Sequence, residues 1–269
     1  MSFADVKQAP VFKKSQFLWL DVGEHLLRVL EENATATDTH FINSRGGRAT
    51  VKCLGDEICP QCAINNQLKL EHPGNYRNIQ GWSSASRRHS FNVLDRTEAK
   101  TCSKCQATTK PRGGQFPSTC PECGTFLSEV KPLPINKVCL VTVSDTVGKD
   151  INRITKSILD ANREPLPLTS YDLLISVETG RKGREMTVIA QPQLNDVVNV
   201  EEELYDTATA ITTLSKEEMI EFIRGVSIRD LFVARGSSTL EVGTTSAKEE
   251  KKVAELAEDA EDMIKKLFG

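Results

Sequence analysis

Two Cys-x-x-Cys pairs, TCSKC and TCPECG, lie 14 residues apart and supply Cys102, Cys105, Cys120 and Cys123. Each pair can close a tight turn whose backbone amides face the thiolates, and two such turns brought together make a four-thiolate tetrahedron of zinc-ribbon spacing. Gly124 follows the last ligand, where the turn favours a positive φ. The surrounding residues, 97–128, have no hydrophobic period. The spacing therefore predicts an insertion folded by its metal, structural in role because thiolates fill all four positions.

A second set stands upstream. Cys53, Cys59 and Cys62 lie in VKCLGDEICPQC and require a fourth ligand for a tetrahedral Zn²⁺. His40 is the preferred one, because TDTHFIN (37–43) and ATVKC (49–53) read as strands joined by the SRGG turn, a hairpin that brings His40 near Cys53. His72 is the alternative. A three-cysteine site keeping a water would be catalytic, but the His-x-Glu signature of the zinc deaminases is absent, since Phe41 and Ile42 follow His40. Cys139, in the apolar run KVCLVTV, reads as a small core residue. The chain has no P-loop, no HExxH and no carboxylate cluster of nuclease type, so the expectation is a protein that is not an enzyme.

Seven cysteines used as metal ligands and an eighth in the core suit a reducing compartment. The N-terminal MSFADVKQAPVFKKSQF has no apolar core with a cleavage site, and no run reaches the length of a membrane span. The expected location is thus cytoplasmic, away from membranes. Charge is unevenly spread. Residues 1–190 hold 25 Lys and Arg against 20 Asp and Glu, and residues 191–269 hold 9 against 17. A basic body with an acidic end suits a polyanionic partner.

Periodicity divides the 269 residues into an arm (1–20), a core (21–234) and a linker with an acidic amphipathic tail (235–269). Strands are expected in GEHLLRVL, in the hairpin, and in HSFNVLDR, KVCLVTVS, YDLLISVE and REMTVIAQ. Helices are expected over Pro60–Glu71, over 147–159 with Ile151, Ile154, Ile158 and Leu159 on one face, and over 214–226, where Ser215 and Glu218 form a capping box. The fold class is mainly β with short helices (α+β): an OB-fold barrel with a zinc subdomain at about 37–75 and the ribbon at about 97–128.

The His40-x12-Cys53-x5-Cys59-Pro-Gln-Cys62 pattern, in a β-rich chain with an acidic tail, resembles the zinc-containing single-stranded DNA-binding (helix-destabilising) proteins of T-even and related phages. GEHLLRVL, THFINSRGGRATVKC, ICPQCAIN, HSFNVLDR and SYDLLISVETGRKG carry the likeness over about 120 residues. It implies an OB-fold that coats single-stranded DNA in replication, recombination and repair, acts as a monomer or self-associates cooperatively on DNA, and recruits replication or recombination proteins through its tail. The Cys53–Cys59 gap is short for the T-even members, and the four-cysteine ribbon is an insertion they lack. The basic arm used for cooperativity is matched only by Lys13-Lys14-Ser15.

A groove for unpaired strands needs cations for phosphates and aromatic faces for bases. NYRNIQGWSSASRRHSF is the densest stretch of both kinds, giving Tyr76, Arg77, Trp82, Arg87, Arg88 and Phe91, with Arg96 beyond it. Arg45, Arg48 and Lys52 extend positive charge over the hairpin, and Arg181, Lys182 and Arg184 cluster at a second turn. Phe91 also fits a core position of an alternating strand. The tail places Val253, Leu256, Ala260, Met263, Ile264 and Leu267 on one helical face, suited to a partner's groove. The competing reading is a zinc-ribbon transcription or replication-initiation factor that mainly contacts a polymerase.

Overall fold

The computed structural model describes residues 17–111, 115–180, 183–191 and 204–235. The arm before residue 17 and the linker and tail after 235 lie outside them. Among the described residues ten strands and four α-helices are formed, in the order β1 (Gly23–Val29), β2 (Thr35–Ser44), β3 (Gly47–Lys52), α1 (Pro60–Glu71), β4 (Ser86–Asp95), β5 (Glu98–Thr101), β6 (Thr108–Thr109), β7 (Leu133–Pro134), β8 (Lys137–Ser144), α2 (Asp145–Ser157), β9 (Asp172–Gly180), β10 (Gly183–Gln191), α3 (Lys216–Arg224) and α4 (Ile228–Ala234). The architecture is thus mainly antiparallel β with a few short helices. No helix among the described residues is long and apolar enough to cross a membrane.

The chain divides into two compact units, one drawn from 37–88 with the segment from 211 on, the other from 15–36 with 89–210. In the second, neighbouring strands run β10-β9-β1-β4, with β8 paired to β4. Both partners of β1 are antiparallel to it, in registers Leu27↔Asp95 and Leu27↔Leu173. Side chains alternate across strands, and the inward set is almost unbroken: Leu27, Val29, Phe91, Val93, Cys139, Val141, Val143, Leu173, Ile175 and Val177 are all buried in one apolar cluster. Helix α2 adds Val147 and Ile151 to it. Its first turn is capped by the Ser144 side chain, which accepts from the Val147 amide. The helix ends at Ser157, so Ile158 and Leu159 lie beyond it, and Leu159 instead forms a bridge with Pro165.

The first unit is built on the β2–β3 hairpin, in register His40↔Val51 and Phe41↔Thr50. Val51 also bridges in parallel to Thr212, so the segment leading into α3 lines the hairpin's edge. Ile42 and Val51 point inward onto Leu214, Met219, Phe222 and Leu231, together with Cys59 and Cys62. Helix α3 carries the expected capping box of Ser215 and Glu218 and ends at Gly225 with φ 114°, a conformation that favours glycine. Helix α4 follows at once, capped by Ser227, which accepts from the Asp230 amide.

Candidate metal centres and nucleic-acid interface

Four ligand atoms from His40, Cys53, Cys59 and Cys62 lie within 4.8 Å of one another, and so do four from Cys102, Cys105, Cys120 and Cys123. Two groups of a kind that holds metal ions are therefore assembled, and both consist of the residues singled out by spacing. Cys139 stays apart, buried in the β core.

In the first group the hairpin supplies His40 and the start of α1 supplies Cys59 and Cys62. Pro60 sits in the helix's first turn, where its fixed φ suits the helix and its missing N–H costs nothing. Cys59 is the N-cap residue, so the positive end of the helix faces a thiolate. His40 Nδ1 lies 2.8 Å from the Ser83 carbonyl. A carbonyl only accepts, so Nδ1 carries the hydrogen and Nε2 is left as the ligand atom, 3.3 Å from Cys62 Sγ. Burial of the imidazole disfavours its charged form. Hydrogen bonds with Cys59 and the Ser83 carbonyl outweigh that and raise its pKa. Burial likewise opposes the Cys59 thiolate, yet His40 and the amides of Leu54 and Cys62 bring its pKa down to about 6. Cys62 moves the opposite way, raised by burial and by the charge on Cys59. A metal ion bound here would require three thiolates and a neutral imidazole, so its binding would release protons from the thiols that burial holds protonated, Cys53 and Cys62, and from any charged His40.

The second group has a different frame. Its two knuckles repeat one hydrogen-bond pattern: the Gln106 amide donates to the Cys102 carbonyl at 2.9 Å, and the Gly124 amide to the Cys120 carbonyl at 2.8 Å. Both turn residues need a positive φ, 60° at Gln106 and 71° at Gly124, so the glycine expected at one knuckle has a non-glycine counterpart at the other. The Thr125 hydroxyl, 3.2 Å from Cys123 Sγ, and the Thr125 amide bring the Cys123 thiol down to about 6. The Ala107 amide favours the Cys105 thiolate, but the neighbouring thiols and burial prevail and push it up to about 12. Among described residues the buried cluster around these ligands adds only Leu127.

Beside the first group stands an aromatic pair. Tyr76 and Trp82 have ring centroids 4.7 Å apart, inclined by 56°. Lys69 Nζ lies over Trp82 at 5.6 Å and the Arg77 guanidinium over Tyr76 at 5.7 Å, both within cation–π range. The loop bearing Trp82 is fixed from both sides by α1. Gln61 Nε2 donates to the Gly81 carbonyl at 2.7 Å, and Asn65 Nδ2 donates to the Ser83 carbonyl at 2.7 Å. Asn65 Oδ1 accepts from the Ser83 amide at 3.1 Å and from Gln61 at 3.0 Å. The Ser83 carbonyl that orients His40 is thus the one that follows Trp82, so metal ligand and aromatic face share an anchor.

Of the other basic and aromatic candidates, Arg45, Arg48 and Lys52 are exposed on the hairpin. Arg87 is exposed and forks onto Asp38 at 2.9 and 3.1 Å, and Arg88 is half-buried near the start of β4. Two expectations are corrected. Phe91 is 4% exposed among Leu27, Val29 and Val93, so no face remains for a base. Arg96 is nearly buried and pairs with the fully buried Asp172, which also accepts from Arg28 at 2.5 Å, so it is a core ion pair and no phosphate contact. Arg184 is exposed near Asp21 at 3.6 Å. Arg181, Lys182 and the tail lie outside the described residues. Lys69, Gln61 and Asn65 were not legible as site residues. Their only signal is two amide side chains four apart on the buried side of a helix, where apolar residues are the norm.

No protein-family model matches this chain, and no curated protein matches it either.

Proposed function

We propose that the protein is a non-catalytic single-stranded DNA-binding protein holding two structural Zn²⁺ ions, of the kind that coats unpaired DNA during phage replication, recombination and repair. The observation that carries this reading is the Tyr76–Trp82 pair flanked by Lys69 and Arg77. Ring faces beside cations are what sequence-tolerant binding of unpaired bases requires, and each stacked base contributes about 1–3 kcal/mol. Thiolate-rich tetrahedral donor sets suit zinc, and four protein ligands at each ion leave no open position for catalysis.

The second unit supports an OB-type barrel. Its strands pair as β8-β4-β1-β9-β10, with the first strand of the unit central and α2 between its third and fourth strands. OB-folds bind oligonucleotides through the connections after their first and fourth strands. Here the first of these is where residues 37–88 enter the chain, and the second is the turn with Arg181 and Lys182. The acidic tail is assigned the recruitment of replication or recombination enzymes. The polymerase-contacting reading keeps one observation in its favour, because the ribbon region exposes Phe126 (75%) and Leu133 (68%).

Salt-dependent titration of an oligo-dT against a duplex of equal length decides between them. Tight, salt-sensitive binding of the single strand with weak duplex binding is expected. Equal affinity for both, or no binding, removes the proposal.

A further inference from the structure

Phe41 is 56% exposed in the middle of a strand whose flanking residues, His40 and Ile42, are both buried. Single exposed apolar residues are ordinary on a protein surface, but the charges around this ring make it a candidate contact. Alternation along the hairpin places Asn43 and, at its covered end, the buried Thr39 with Phe41 on one face of β2, and Arg48, Thr50 and Lys52 opposite them on β3. Phe41 stands directly across from Thr50. Arg48 and Lys52 are therefore its two diagonal neighbours, at about 7–8 Å between backbones, within reach of long side chains. Arg48 Nε also donates to Asn43 Oδ1 at 3.4 Å, along the same face. No carboxylate alternates onto this face between residues 39 and 52. The result is one ring bracketed by two cations and ringed by small polar groups.

A peptide helix or strand would need a contiguous apolar groove, with several anchors spaced along it. This face offers a single ring among Asn43, Thr50, Arg48 and Lys52, which does not make one. An unpaired base needs only one ring face, with cations placed for the phosphates on either side. We infer that Phe41 is a base-stacking platform on the outer face of the β2–β3 hairpin, a further contact point for single-stranded nucleic acid, with Arg48 and Lys52 holding the adjacent phosphates. The inference rests on the function proposed above and adds to it a site that does not involve the Tyr76–Trp82 pair.

The test uses the full-length zinc-loaded protein, oligo-dT and a salt series, with thermal unfolding as a check on the fold. Phe41→Ala and Phe41→Leu each lower affinity about tenfold, while Phe41→Tyr and Phe41→Trp retain it, because a ring face and not apolar bulk is needed. Phe41→Ala leaves the slope of log affinity against log salt unchanged. Arg48→Ala or Lys52→Ala each reduce that slope by about 0.7, the share of one phosphate on a single strand. If the wild-type protein fails to prefer oligo-dT over duplex, the parent reading falls and this one with it. If the wild type binds oligo-dT and Phe41→Ala binds equally well, only the role of Phe41 is overturned, and the face is left to a protein partner. A loss in Phe41→Ala that Phe41→Leu fully restores also overturns it.

Discussion

The two four-ligand groups are both thiolate-rich, three cysteines with a histidine in one and four cysteines in the other, and they differ most in what surrounds them. Cys59 and Cys62 belong to an apolar cluster with Ile42, Val51, Leu214, Met219, Phe222 and Leu231, contributed by a hairpin and two helices. Among the described residues, Cys102 and Cys120 have Leu127 as their one buried companion, with Ala107 and Val130 partly buried against them. In the first unit a metal would complete a core that already exists; in the ribbon it would be nearly all the core there is. The first group is also wired to a surface feature, through His40, Ser83 and the Gln61–Asn65 ladder, whereas the ribbon's ligands bond mainly to their own knuckles.

The sharpest way to break this contrast is to strip the metal. Structural zinc in small domains contributes apparent binding energies of about 10–16 kcal/mol, which for a coreless loop is its folding energy. Chelation is expected to abolish amide protection throughout 97–134 while β3 and α3 keep measurable protection. Hydrogen exchange read by mass spectrometry checks this, and a ribbon that stays protected without metal refutes it.

Removing one ligand from each group separates them next. Cys62→Ser and Cys120→Ser should each lower the bound zinc from two ions to one. Cys62→Ser is expected to weaken oligo-dT binding by about tenfold or more, because the anchor of Trp82 loosens, and Cys120→Ser to change it less than about twofold, a gap of about 1 kcal/mol. Equal losses in the two variants would mean that the ribbon also shapes the interface.

A core substitution asks whether the first unit stands on packing as well as metal. Phe222→Ala should cost about 3–5 kcal/mol by urea denaturation while both ions stay bound. Loss of metal together with the fold would erase the distinction drawn above. A smaller effect is expected for Asn65→Ala, which strands the Ser83 amide and the Gln61 side chain at about 1–3 kcal/mol. Its Trp82 emission should shift to the red, and an unshifted spectrum with unchanged oligo-dT affinity would show that the ladder does not position the ring.

The smallest effect concerns pH. Arg235 pairs with Glu218 and holds its carboxyl below the ordinary 4.5, helped by the Ser215 amide. A depressed folded-state value adds stability above the unfolded-state value, and that stability is lost as pH falls through about 4.5 and below. Glu218→Gln should flatten the acid-side fall of the first unit's Tm. An unaltered profile would mean that the pair contributes nothing measurable, as exposed pairs often do.

Much of the fold was legible because local chemistry fixes it. The Pro after Cys59 and the Pro-Gly after His72 bracket α1 at Pro60–Glu71, and a β-branched run gives β8 at Lys137–Ser144. The metal-binding groups were legible because ligand spacing is short-range. What escaped depends on long-range partners or on weak local signals. Arg96 reads as a surface cation until Asp172, far along the chain, buries it. Phe91 fits both a core strand and an aromatic platform, and only burial decides. Helix α4 is seven residues long, too short for periodicity, although Ser227 and Asp230 carry its cap. Phe41 lies between two inward residues, and sequence alone gives no sign that its own side of the hairpin is uncovered.

The turn of the β2–β3 hairpin has one more consequence. A Cβ placed on Gly46 would come within 2.2 Å of the Val226 carbonyl oxygen, a backbone atom that cannot swing aside. Hairpin tips ordinarily tolerate insertions, tags and labels. Here the tip is seated like a keystone against the end of α3, so anyone engineering the protein would find it the wrong place for a fluorophore or an affinity handle. The bend at Pro73–Gly74 is the better door: Gly74 itself should stay, because its φ of 87° favours glycine, but the exposed Asn75 beside it can carry the handle.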